Sequence, residues 1–193
     1  MRGVFYTFCK MAEQDSENPY CFIIDEINRG NLSNIFGELM MLLEAYKRGQ
    51  SLRLLYQDEQ FSIQRNVYII GMMNTADRGL AMLDYALRRR FCFFTMTPRF
   101  DHPGFAESLT EEGAPDWLIR KIIEKMNSLN QIIAEDKNLG SDFFIGHSYF
   151  CGYMPTDHWY EHIIHYEIKP LLEEYFMDED RDKLNDMIDE LLR

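Results

Sequence analysis

Three short unbroken apolar runs mark the first hundred residues, and two of them end in polar clusters. Tyr20 to Ile24 (YCFII) is aromatic and β-branched, with turn formers before it and carboxylates after it, the pattern of a strand buried on both faces. Val67 to Ile70 repeats it, and Phe91 to Met96 predicts a third such strand. Helical spacing lies between them. Residues 4 to 12 predict a helix ended by the polar run Glu13 to Pro19. Asn34 to Tyr46 predicts another, with Ile35, Leu39, Leu42 and Leu43 on one face and Asn31 or Ser33 as cap. Residues 52 to 66 alternate around a polar turn, as in a hairpin, and Leu80 to Leu87 is a short helix. The pattern then changes. Pro98 to Pro115 holds three of the six prolines and predicts loop, whereas Trp117 to Ala134, His158 to Met177 and Lys183 to Leu192 are helical by periodicity, with Phe143 to Phe150 between them. The fold class that follows is an α/β core with a parallel sheet over residues 1 to 100, and an acidic helical part over 101 to 193.

Charge sharpens the division. Residues 101 to 193 carry 21 acidic and 8 basic side chains, against 11 and 12 in residues 1 to 100. A protein that holds DNA directly needs clustered Lys and Arg, so the second half is a poor nucleic-acid surface. With 46% hydrophobic and 27% charged residues the chain can bury a core. No run of about 18 consecutive apolar residues occurs, and Met1-Arg2-Gly3-Val4 opens no signal-peptide pattern. The four cysteines (Cys9, Cys21, Cys92, Cys151) show no CxxC pair and no zinc-finger histidine spacing, which predicts reduced thiols in a cytoplasmic protein without membrane contact.

Candidate chemistry gathers at the strand ends, because ligands of parallel α/β sheets bind at the carboxyl ends of strands. In CFIIDEINRGN (residues 21 to 31), Asp25 is placed to hold a Mg²⁺ ion and Glu26 to orient or deprotonate an attacking water, the physical content of a Walker B element. The plain alternative is an acidic pair that ends a strand. VYIIGMMNTADRG (67 to 79) brings Asn74, Thr75, Asp77 and Arg78 to the same sheet edge, where an amide can bond both water and a γ-phosphate oxygen. Its alternative is an Asx turn that satisfies its own backbone. LDYALRRRF (83 to 91) crowds three arginines at a helix end, either as an arginine finger for an anionic partner or as solvated charges.

FIIDEINRGNLSNIFGELMMLLE, MNTADR and LDYALRRRF, in this order and separation, resemble the AAA+ domain of McrB, the GTPase subunit of methylcytosine-directed restriction systems. The likeness covers residues 3 to 98, and GHSYF (Gly146 to Phe150) is similar to the family as well. The resemblance implies a partial P-loop NTPase (AAA+) core followed by a helical lid. It makes Asp25 the metal-side acid, Glu26 the catalytic glutamate, Asn74 the sensor, Asp77 and Arg78 signature-motif partners, and Arg88 or Arg89 the finger that reaches a neighbouring subunit. It also implies GTP with Mg²⁺, ATP being the alternative nucleotide, a hexameric ring, a McrC-type endonuclease partner, and DNA contact only through a domain outside this sequence.

The departures are specific. None of the seven lysines sits in a GxxxxGK[ST] context, so the chain reads as a truncated member that begins one helix before Walker B and does not hydrolyse nucleotide alone. Met72 and Gly79 stand where the family usually has Thr and Ser; Gly for a Ser cap costs only a few tenths of a kcal/mol. A MoxR-type ATPase chaperone and a degenerate, non-hydrolysing ring-assembly module are the rival readings. His147 and Ser148, in GHSYF, either approach nucleotide from the lid or pack within it. His158, His162 and His165 have helical spacing without an HExxH pattern.

Overall fold

The computed structural model describes residues 3–55, 59–74, 76, 88–177 and 181–193. The chain forms two compact units, Met1–Phe94 and Thr95–Arg193.

In the first unit, helix α1 (Val4–Gln14) buries Tyr6, Cys9 and Ala12, a stripe at intervals of three. Its phenylalanines cover one face of strand β1 (Tyr20–Ile24): Phe5 and Phe8 lie 5.0 and 5.1 Å from the Phe22 ring. Strand β4 (Val67–Gly71) pairs with β1 in parallel, from Tyr20 opposite Val67 to Ile24 opposite Gly71. Asn66 fixes where β4 starts: its Nδ2 faces the carbonyls of Ala12, Asp15 and Asn18 at 3.1, 2.9 and 2.9 Å, tying the end of α1 and the following loop to the strand. Burial on both faces is not found. Successive strand residues point to opposite sides, and the side bearing Cys21, Ile23, Tyr68 and Ile70 is exposed while Phe22, Ile24, Val67 and Ile69 turn toward α1 and the core.

Strands β2 (Ser51–Arg53) and β3 (Gln60–Ser62) pair antiparallel with Leu52 opposite Phe61, so the hairpin forms with shorter arms than the alternation suggested. The helix expected over Asn34 to Tyr46 is broken. Helix α2 (Leu32–Phe36) stops at Gly37, which adopts φ 48°, and two 3₁₀ turns follow, Gly37–Leu43 and Ala45–Lys47. A residue without Cβ takes that positive φ readily, and the change of period turns Ile35 outward while Phe36, Met40, Leu42 and Leu43 fill the core. Phe91 to Met96 forms no strand: Phe93, Phe94 and Met96 are exposed, and none of the described strands pairs with this segment. Apolar composition does not by itself make a strand; cross-strand partners do. The predicted helix Leu80 to Leu87 lies outside the described residues.

In the second unit, Pro98 to Pro115 is not all loop. Helix α3 (Pro103–Glu111) starts with His102 as N-cap, its Nδ1 accepting the Gly104 N–H at 3.1 Å, and Pro103 occupies the first turn, where a missing N–H costs nothing. Helix α4 (Asp116–Glu135) is the central rod and buries Leu118, Ile119, Ile122, Met126, Leu129, Asn130 and Ile133. The helical pattern of residues 158 to 177 is realised as α5 (Trp159–Ile163), a π turn (Ile164–Ile168) and α6 (Lys169–Tyr175). Pro170 explains the widening: it has no N–H, and its ring clashes with the carbonyl four residues back in a regular helix. The Lys169 N–H accordingly donates to the Ile164 carbonyl, five residues back. Helix α7 (Arg181–Leu192) is fastened by the Lys121 Nζ to Leu192 carbonyl bond at 2.6 Å, the Tyr160 hydroxyl to Leu191 carbonyl bond at 2.8 Å, and the Lys125–Glu190 pair at 2.6 Å. No described helix is long and apolar enough to cross a membrane.

Candidate nucleotide-hydrolysis site

The parallel register of β1 and β4 brings two loops together at one sheet edge. Beyond the last paired residues, the Met72 N–H donates to the Ile24 carbonyl at 2.8 Å and the Ile27 N–H to the Met72 carbonyl at 2.9 Å. Asn28 Nδ2 reaches the Asn74 carbonyl at 3.4 Å. The loop bearing Asp25 and Glu26 therefore meets the one bearing Asn74, although 46 positions separate Asn28 from Asn74.

Glu26 is, among the described residues, the single non-glycine at positive φ (φ 49°, ψ 47°). Such a conformation costs of order 1 kcal/mol or more and persists where neighbours over-determine it. Here Asp25 Oδ1 accepts the Glu26 N–H at 2.9 Å, and Ile27, the next residue, is buried and bonded to Met72. A Cβ on Gly71 would stand 2.5 Å from Ile27 Cδ1 and 3.4 Å from its Cβ, so glycine at 71 is what lets the Glu26 turn close onto β4. The Glu26 carboxylate pairs with Arg29 at 2.7 Å, both side chains about half exposed. Asn74 Oδ1 accepts the Ala76 N–H at 3.1 Å, the Asx contact the sequence offered as the plain alternative. Met72 contributes here through its backbone.

Asp25 and Glu26 are exposed hard-oxygen donors, and the described residues contain no cluster of three or more His, Cys, Asp and Glu that would cage an ion. That set fits Mg²⁺, which keeps most of its waters and takes one or two carboxylates together with phosphate oxygens. It does not fit a structural zinc. His158, exposed, instead meets Glu161 at 2.9 Å, and the His162 ring lies 4.5 Å from that of Tyr166.

The three arginines divide. Arg90 is pulled inward by Glu44 at 2.9 Å, whereas Arg88 and Arg89 are exposed. In the second unit His147 packs: its ring lies 6.2 Å from both Phe100 and Phe105, and its Nδ1 accepts the Arg99 N–H at 3.4 Å, while Ser148 is exposed. Asp77 and Arg78 lie outside the described residues. Asn28, Arg29, Glu44 and Gly71 went unassigned in the sequence; the first two follow the acidic pair after Ile27, but the others carry no local signal.

Comparison with known proteins accounts for this arrangement. Residues 2–91 match the model of the AAA domain (dynein-related subfamily), and residues 121–185 match that of the McrB alpha-helical lid domain. Over 188 residues the chain is 50% identical to the type IV methyl-directed restriction enzyme EcoKMcrB subunit of Escherichia coli (strain K12), covering 92% of this chain and 41% of that protein. These matches support an McrB-family AAA+ fragment. The fold is accordingly part of an AAA+ α/β core followed by the McrB helical lid. The type II restriction enzyme BsuMI component YdiS of Bacillus subtilis (strain 168) is 31% identical over 105 residues, 47% of this chain and 31% of that protein. The chain thus spans less than half the length of either relative.

Proposed function

We propose that the chain is the Walker B, sensor and lid portion of a GTP-hydrolysing motor subunit in a McrBC-like restriction system. The observation that supports this is the parallel pairing of β1 with β4, which brings the loops that bear Asp25, Glu26 and Asn74 to one sheet edge. Mg²⁺, when bound with nucleotide, would neutralise charge on the phosphate oxygens. Asp25 would hold it through its water shell. Glu26 would orient the attacking water and take up its proton, and the Asn74 amide, released from its turn, would bond that water and a γ-phosphate oxygen. Arg88 or Arg89 would enter a neighbouring subunit's site and stabilise charge in the transition state. Asp77 and Arg78 belong to the same motif by resemblance. The restriction context is supported by both relatives being named restriction enzyme components. A ring of like subunits, a McrC-type nuclease partner and a cytoplasmic setting complete the reading, with GTP preferred to ATP.

The 193 residues contain no GxxxxGK[ST], so the test supplies one by fusing the complete chain in frame to the part of the E. coli relative that precedes the matched segment. Glu26→Gln and Asn74→Ala should leave nucleotide binding within a few-fold and lower GTP turnover by roughly 100-fold or more. Equal losses of affinity and turnover would place both residues in ground-state binding and refute their roles. The unfused chain should release no phosphate from GTP or ATP.

A further inference from the structure

We propose that Glu44 is a positioning residue for Arg88 and Arg89: by anchoring Arg90 it fixes the direction in which the two preceding guanidiniums leave the subunit. The inference rests on the trans-acting role proposed above for that pair. Three successive arginines repel one another, and each alone would favour solvent or any nearby anion. Glu44 breaks the tie. Its Oε1 lies 2.9 Å from Arg90 Nη2, and the two side chains are only 20% and 18% exposed, unlike Arg88 and Arg89. Successive residues leave a backbone in different directions, so pinning the third restricts where the other two can point.

The anchor is itself held. The Tyr46 hydroxyl, with the charges of Arg90 and Lys47, favours the ionised form and keeps the Glu44 carboxyl below its ordinary range. The Glu44 backbone is extended (φ −65°, ψ 133°) between the two 3₁₀ turns, the first of which is rooted in the core by Met40, Leu42 and Leu43. Those turns continue the segment that begins at Asp25 and Glu26. Glu44, Tyr46, Arg89 and Arg90 line one cleft of about 540 Å³. Within one subunit, then, a single carboxylate links the Walker B segment to the arginines offered to a neighbour.

The test uses the fusion described above. Glu44→Gln and Arg90→Gln should each lower GTP turnover about 10-fold or more with KM within twofold, since a subunit's own phosphate contacts are untouched, and the double variant should lose no more than the worse single. Glu44→Asp should recover part of the rate. Mixed with Glu26→Gln subunits, which keep their arginines, Glu44→Gln should regain activity, as should Arg88→Ala/Arg89→Ala in a parallel mixture. Turnover within twofold of the parent, losses that multiply in the double variant, or a Glu44→Gln mixture that stays inactive while the arginine mixture recovers would each overturn the positioning role. An arginine mixture that also stays inactive would instead sink the trans-acting reading, and this inference with it. Should neither Glu44→Gln nor Arg90→Gln fold, by circular dichroism of the unfused chain, the pair is a structural bridge only and the inference fails.

Discussion

Asn130 is the most informative single residue to perturb, because it ties the loop bearing His147 and Ser148 to the central helix of the lid. It sits on the buried face of α4, 8% exposed among Met126, Leu129 and Ile133. Its amide forms a closed pair with one backbone unit: Nδ2 donates to the Ile145 carbonyl at 3.0 Å, and Oδ1 accepts the Ile145 N–H at 2.7 Å. Ile145 is itself 1% exposed. In Asn130→Ala both backbone groups lose their partner with no water to replace it, at about 1–3 kcal/mol each. The expected loss is about 2–6 kcal/mol, a large part of the roughly 5–15 kcal/mol that holds a domain together.

Fluorescence reads this directly. Both tryptophans, Trp117 and Trp159, lie in the Thr95–Arg193 unit, and Trp159 is buried against Phe150 and Tyr153. A urea titration of the whole chain followed by tryptophan emission therefore reports the lid unit without interference from the other. Asn130→Asp supplies the companion test. At pH 7 its carboxylate can still accept the Ile145 N–H but faces the Ile145 carbonyl with a second negative oxygen, so the variant should be at least as unstable as Asn130→Ala. Burial beside a carbonyl raises that carboxyl's pKa; a folded pKa above the unfolded one means that stability is present at low pH and lost as pH rises through the folded value. The gap from wild type should therefore narrow as pH falls through the raised value and be smallest below about pH 4, the unfolded Asp value. A loss under about 1 kcal/mol for Asn130→Ala with unchanged m-value would show that water reaches Ile145 and that another contact seats the loop.

Two further outcomes follow from the first unit. Cys9 is 1% exposed and burial pushes its thiol up to about 12, so iodoacetamide should label Cys21, Cys92 and Cys151 in the native chain and Cys9 only on unfolding, as counted by mass spectrometry; because a raised folded pKa gives stability that is lost as pH climbs from about 9 toward 12, Cys9→Ala should also flatten the alkaline loss of stability. Gly71→Ala places a methyl 2.5 Å from Ile27 Cδ1 and should cost about 1–3 kcal/mol in a urea titration followed by far-ultraviolet circular dichroism, whereas a neutral result would mean that Ile27 can turn away without disturbing Glu26.

What could be read in the sequence was whatever a local pattern determines. The YCFII and VYII runs became β1 and β4, and the polar clusters after them fell at one edge because parallel strands in register put their carboxyl ends together. The stripe of α4 was equally plain, since 20 residues of 3.6-period burial leave little competition. Breaks were missed where one residue overrode the pattern: Gly37 at positive φ ended a helix that hydrophobic spacing would have continued, and Pro170 forced a π turn into another. Pro103 was misread in the opposite sense, as a loop former where it starts a helix. Phe91 to Met96 failed for a different reason, because a strand is a property of a pair and composition describes one member.

The functional parts divide along the same line. Asp25, Glu26 and Asn74 could be proposed because each follows a strand that announces itself. Glu44 could not: it follows the apolar run Leu39 to Leu43 as any carboxylate at the end of an amphipathic segment would, and its meaning comes from Arg90, whose partner no spacing rule predicts. The same holds for Gly71, which looks like a strand terminus until Ile27 is seen against it, and for Asn130, a polar residue on an apolar stripe whose partner is a backbone unit 15 positions away. In each case a conspicuous residue has an inconspicuous neighbour from a distant segment behind it: Glu26 has Gly71 through Ile27, His147 has Asn130 through Ile145, and, in the positioning role proposed above, Arg88 and Arg89 have Glu44 through Arg90. If that pattern governs the chemistry, the inconspicuous partners should lower turnover while leaving ligand contacts intact, and their losses should not multiply with those of the residues they hold, as expected when two groups act as one unit.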